Sequence, residues 1–242
     1  MVAALNGEWG PLFARGLANT SMKKTIIAIT AAAASALSAW ATPISPGTET
    51  SLQSILDARV TGTSIDVNAN QVNSDSYWTA ETNPAAYLVI ELAGYAADNA
   101  FGLYEAGTPS NKLQVFAGSD SGMTGKVTVV VPVSWTAFGF YMENTSAGFT
   151  WYSDAALNAG GGLDHFVAFQ GAAGATLSGA SFDANDFVLA IEDLNLGDQD
   201  YNDMVVLVQN VKPVPDGGLT IAFLGLGLLC MVSRNRKFAV IE

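Results

Sequence analysis

The sequence predicts an all-β protein, a jelly-roll-like β-sandwich of about nine short strands. Three observations predict it. Short apolar runs, β-branched or aromatic, recur along the body between turns of Gly, Asn, Asp and Ser. No long amphipathic helix interrupts them. Two of the runs, within residues 187–208, flank a loop whose Asn195 and Gly197 permit a tight turn.

In chain order, residues 1–21 read as an extension ahead of the true start. Met22-Lys23-Lys24 then opens a secretory signal over 22–41. The two lysines precede an apolar run, 26–37, and small residues that end in Ala39-Trp40-Ala41. That triplet fits the A-x-A cleavage rule, so the mature chain is expected to begin at Thr42 after passage through the Sec export machinery. The run is too short to stay in a membrane.

Residues 42–84 form a lead-in segment, Pro-rich at its start. Within it Leu52, Ile55 and Leu56 fall on one face of one or two helical turns. Over 85–212 the candidate strands are 87–92, 101–104, 113–116, 127–131 (closed by Pro132), 138–142, 149–152, 165–169 and the two runs around the loop. Gly160-Gly161-Gly162 reads as a flexible connection.

Residues 213–238 are a separate module. Val214-Pro215-Asp216-Gly217-Gly218 breaks the last strand, 219–232 is apolar, and Arg234, Arg236 and Lys237 follow. Fourteen apolar residues at a rise of ~1.5 Å cover about 21 Å, a marginal span for a hydrocarbon core of ~30 Å. Basic residues after the span predict a cytoplasmic C-terminus. This helix would anchor the chain in the inner membrane before processing.

The chain has 242 residues and a net charge of −12. Between Thr42 and Asp216 only Arg59, Lys112, Lys126 and Lys212 are basic, against 20 acidic residues. Nucleic acid is excluded as a partner, because neutralising phosphates takes basic side chains. The one cysteine, Cys230, lies in the tail, and His165 is the one histidine, so a zinc site is not expected.

The loop between the two apolar runs carries Glu192, Asp193, Asp198, Asp200 and Asp203, with Asn202 among them. Two such charges ~5 Å apart repel by about 3 kcal/mol at an effective dielectric of ~20. A hard cation removes that cost. Calcium takes about 6–8 oxygen ligands, and the alternation Asp198-x-Asp200-x-Asn202 with Asp203 supplies them from one short loop. Of Glu192 and Asp193 at most one reaches the ion, since neighbours on a strand point to opposite faces. The spacing is not that of an EF-hand. Were the loop fully exposed, it would read as a solvated acidic turn.

The tail resembles the PEP-CTERM class of sorting signals, in a Val-Pro-Asp-Gly-Gly variant formed by Val214, Pro215, Asp216, Gly217 and Gly218. The resemblance covers 25 or so residues. It implies recognition by a membrane-embedded exosortase, removal of the tail, and delivery to the outer cell surface or extracellular matrix of a Gram-negative-type bacterium. The body resembles the bacterial family called domain of unknown function 4114. The residues that carry this are Phe101-Gly102-Leu103-Tyr104, the stretch from Leu157-Asn158 through Asp164-His165 to Phe169, and Ile191-Glu192-Asp193-Leu194 with Asp198-Gln199-Asp200-Tyr201-Asn202-Asp203. The last motif is the most specific, and the resemblance leaves enzyme and binder both open.

Two rival functions remain beside a structural calcium site. In a carbohydrate-active hydrolase, Glu192 would pair with Asp200 or Asp203 across a separation of ~5–9.5 Å. In a calcium-dependent lectin-like module, the ion would bridge hydroxyls of an extracellular polysaccharide. Trp78, Trp135 and Trp151 could stack on sugars, although core packing is the commoner use of aromatics in such folds. Asp164 and His165 form a possible secondary site, with side chains expected on opposite faces of one strand.

Overall fold

The computed structural model describes residues 42–80, 82–91, 96–117, 120, 126–193, 196 and 198–215. The leader, the sorting module from Asp216 onward, Asn195 and Gly197 lie outside the described residues. What is described is mostly β, in antiparallel sheets, with one short helix of two turns.

In chain order the elements are α1 (Leu52–Arg59), β1 (Val60–Thr61), β2 (Trp78–Thr79), β3 (Ala85–Glu91), β4 (Asn99–Glu105), β5 (Thr108–Phe116) and β6 (Val127–Thr128). There follow β7 (Phe138–Asn144), β8 (Phe149–Tyr152), the single turn α2 (Ala159–Gly162), β9 (Phe166–Gln170), β10 (Thr176–Leu177), β11 (Ala180–Ser181), β12 (Asp186–Ile191), β13 (Met204–Gln209) and β14 (Lys212–Pro213). About nine strands were expected, and fourteen are described. The surplus consists of the two-residue pairings β1, β2, β10, β11 and β14, too short to leave a periodic signal.

Two expectations need correction. The run 127–131 pairs only at Val127 and Thr128; Val129 N–H still reaches Pro84 O, and the chain then leaves the sheet ahead of Pro132, which has no N–H to give. The triple glycine is a helical turn rather than a loose connection, with Gly160 and Gly162 at positive φ.

The larger sheets run β6-β3-β13-β12-β9 and β14-β2-β7-β4-β5, with β8 also on β7. β12 and β13 sit at the centre of the five-stranded sheet, in register from Asp186↔Gln209 to Ile191↔Met204. Their alternate residues face two cores. Phe187, Leu189, Ile191, Met204, Val206 and Val208 join Trp78, Phe101, Phe140 and Trp151 from the six-stranded sheet. Val188, Ala190, Val205 and Leu207 face the other way, toward Ile44, Leu52, Leu56, Ile65 and Leu177. A sheet buried on both faces explains why these strands read as unbroken apolar runs rather than as an alternation.

The second face is covered in part by the lead-in segment, with Ala175, Leu177 and Phe182 beside it. Ser51 caps α1 by accepting the Ser54 N–H, and Leu52, Ile55 and Leu56 are all buried, as their spacing predicts. Each such side chain contributes roughly 1.5–3 kcal/mol when withdrawn from water.

Candidate metal centre

The acidic loop leaves β12 at Ile191 and returns at Met204, so both its ends are clamped by central strands. Glu192 is tied twice to the neighbouring strand: its N–H donates to His165 O, and its carbonyl lies 2.9 Å from His165 Nδ1. Leu196, Gln199 and Tyr201 all adopt left-handed φ, between 50° and 57°. Non-glycine residues accept that conformation at a cost, and surrounding contacts must hold it. Tyr201 shows how. Its ring is fully buried, its hydroxyl donates to Asp164 O at 2.6 Å, and its N–H donates to Glu192 Oε2 at 3.2 Å.

This folding gathers Glu192, Asp198 and Asp200, with one carboxylate oxygen from each within 4.8 Å of the others. Glu192 and Asp200 are buried and Asp198 is exposed. None of the three has a basic side chain within ion-pair distance among the described residues. Burial pushes the Glu192 carboxyl up to about 7, and the charges of Asp198, Asp200 and Asp193 add to it. Asp200 is also raised, first by burial, while hydrogen bonds from Asn202 oppose the shift. The donor set is all carboxylate oxygen, the chemistry of a hard cation. These three residues could hold a metal ion.

The other expected ligands lie around the cluster. Asn202 Nδ2 donates to Asp200 Oδ2 at 2.8 Å and to Thr50 O at 3.0 Å, so it orients the Asp200 carboxylate. Asp203 Oδ2 accepts the Asp193 N–H at 2.8 Å, closing the base of the loop. Burial, with Asp193 and Glu192 nearby, pushes the Asp203 carboxyl up to about 8. The buried Asp193 carboxylate faces Asn99 Nδ2 at 3.5 Å.

The lead-in segment supplies support that the sequence did not advertise. Ser45 N–H donates to Gln199 O at 2.8 Å, and Thr50 O receives Asn202. Gly47, at φ +61°, packs directly on the Asp200 carboxylate. The one available signal was the Pro46-Gly47 pair, a turn dipeptide.

His165 is fully buried. Its ring stacks on Trp151 at 3.7 Å and 8°, and Trp151 Nε1 donates to Asp193 O at 2.6 Å. Burial lowers the His165 pKa. Asp164 turns elsewhere, accepting Thr42 Oγ1 at 2.9 Å and Phe166 N–H at 3.2 Å. The two side chains do not pair. Trp78 and Trp151 are core residues, and Trp135 is half-buried against the same core.

Fold and site together define a class: a mostly β protein with a carboxylate cluster, able to hold a metal ion, at one end of its central hairpin. The chain matches no protein-family model, no curated protein and no solved structure.

Proposed function

We propose that this chain is a calcium-stabilised, jelly-roll-like β-sandwich, exported and sorted to the cell surface or extracellular polymer matrix, with a structural or binding role there. The observation that carries it is the trio Glu192, Asp198 and Asp200, drawn together without a basic partner among the described residues. Two buried carboxylates and an exposed one suit an ion that enters from solvent and is held by the fold. The sandwich reading is supported by the core that the two larger sheets share. Export through Sec, cleavage at Ala41-Thr42, transient anchoring and release by an exosortase rest on the motifs at 22–41 and 213–238. The kinship of the body to domain of unknown function 4114 rests on its three motifs alone.

Calorimetric titration of the exported protein with calcium tests the reading. One site, saturable and abolished by Asp200→Asn, is the expected result. No binding heat, with identical melting curves in chelator and in millimolar calcium, would reduce the loop to a solvated acidic turn.

A further inference from the structure

We propose that the new N-terminus made by leader removal is itself a structural element: the Thr42 ammonium pairs with the Asp164 carboxylate, so that processing stabilises the fold. This rests on the expected cleavage between Ala41 and Thr42.

Three contacts already hold Thr42 in place. Its N–H donates to Gln71 Oε1 at 2.8 Å, its carbonyl accepts Gln71 Nε2 at 2.7 Å, and its Oγ1 donates to Asp164 Oδ2 at 2.9 Å. Gln71 is in turn fixed by a second donor bond, Nε2 to Val67 O at 2.8 Å, and by its bridge to Phe169 on the edge of the five-stranded sheet. The backbone nitrogen and Oγ1 of one threonine are about 3 Å apart in a gauche rotamer. The nitrogen therefore lies no more than about 6 Å from the same carboxylate oxygen, a gap that rotation of a freed terminus can close.

No basic side chain among the described residues lies within ion-pair distance of Asp164. Burial accordingly raises its pKa, against hydrogen bonds from Thr42 and Phe166 that favour the charged form. In the uncleaved chain Thr42 nitrogen has one proton, already given to Gln71. Hydrolysis of the Ala41–Thr42 amide adds one water, leaving a carboxylate on Ala41 and an amine on Thr42. With an ordinary pKa of ~7.7–8.0 that amine is mostly protonated at neutral pH. It then has three protons, one for Gln71 and another for Asp164. A charge-assisted bond forms where the precursor offers only a hydroxyl. Because Asp164 O also accepts the Tyr201 hydroxyl, the pair would brace the base of the acidic loop.

The test uses the exported protein. Its N-terminal residue is read first by intact mass and terminal sequencing. The Thr42 amine is then acylated at neutral pH with a limiting reagent and followed by peptide mass spectrometry, with exposed Lys126 as internal standard. In the folded wild type the amine should react at least about tenfold more slowly, relative to Lys126, than in the heat-unfolded chain. Asp164→Asn should restore the rate and lower Tm by roughly 5 °C. The same substitution in an uncleaved Ala41→Leu precursor should lower Tm by clearly less, whereas a plain hydrogen-bonding role for Asp164 predicts equal losses. A terminus other than Thr42 defeats the cleavage reading, and the pairing with it. A Thr42 terminus whose amine reacts at the unfolded rate defeats the pairing alone. Should Asp164→Asn fail to accumulate, a wild-type rate equal to the unfolded one still overturns the pairing.

Discussion

Gly47 lies against the carboxylate of Asp200, so close that a Cβ on Gly47 would overlap Oδ2. The contact joins the start of the lead-in segment to the loop between β12 and β13, residues more than half the chain apart. Gly47 is also at φ +61°, where a side chain adds strain. Gly47→Ala should therefore cost about 1–3 kcal/mol and displace Asp200. Melting curves with and without calcium check it. A variant with wild-type Tm and wild-type calcium response would show that the contact does not shape the site.

Calcium should raise Tm, since an ion bound only by the folded chain adds about 2.7 kcal/mol at one hundred times Kd. Asp200→Asn should remove most of that rise. Asp57→Asn, an exposed change on α1, should keep it. Equal responses in the two variants would place the ion elsewhere.

The metal-free protein should weaken as pH rises. Burial lifts Glu192 to about 7 and Asp203 to about 8, well above their ordinary ~4.3 and ~3.9. A carboxyl raised by folding contributes its stability below its unfolded pKa and loses it as pH climbs through the folded value. In chelator the urea midpoint should decline between pH 5 and about 8.5. Saturating calcium should flatten the decline, because a dication favours the charged carboxylates. A midpoint that rises over this range in chelator would contradict the sign.

His165→Phe should preserve the stack on Trp151 and lose the bond to Glu192 O. Leaving that buried carbonyl unpaired costs about 1–3 kcal/mol. Urea unfolding should show the loss, while calorimetry should still find one calcium per chain. A loss of stoichiometry would make His165 part of the ion site.

The sorting module should be absent from the finished product. Intact mass of the secreted protein should lack residues 219–237, and a membrane-bound precursor should retain them. A secreted form that carries them would end the exosortase reading.

Residues 187–208 were readable from sequence because strand, loop and charge signals all fall within one short window. The apolar runs became β12 and β13, and the carboxylates lie between them. The pairing of roles inside the loop was not readable. Asp203, an expected ligand, accepts the Asp193 N–H through Oδ2, while Glu192, Asp198 and Asp200 gather. Left-handed φ at Leu196, Gln199 and Tyr201 sets which carboxylates converge, and no local propensity encodes three such residues.

The sequence by itself determined the β class, the places of the main strands, the apolar face of α1 and the acidic character of the loop. Each follows from periodicity and composition over a few neighbouring residues. Only the tertiary structure decided that Ile44, Leu52, Leu56, Ile65 and Val67 pack on the second face of the central sheet, and that Gly47, Thr50 and Ser45 brace the loop. Those contacts join residues some 150 positions apart. They exist because the central sheet has two apolar faces to bury, and the six-stranded sheet covers one of them.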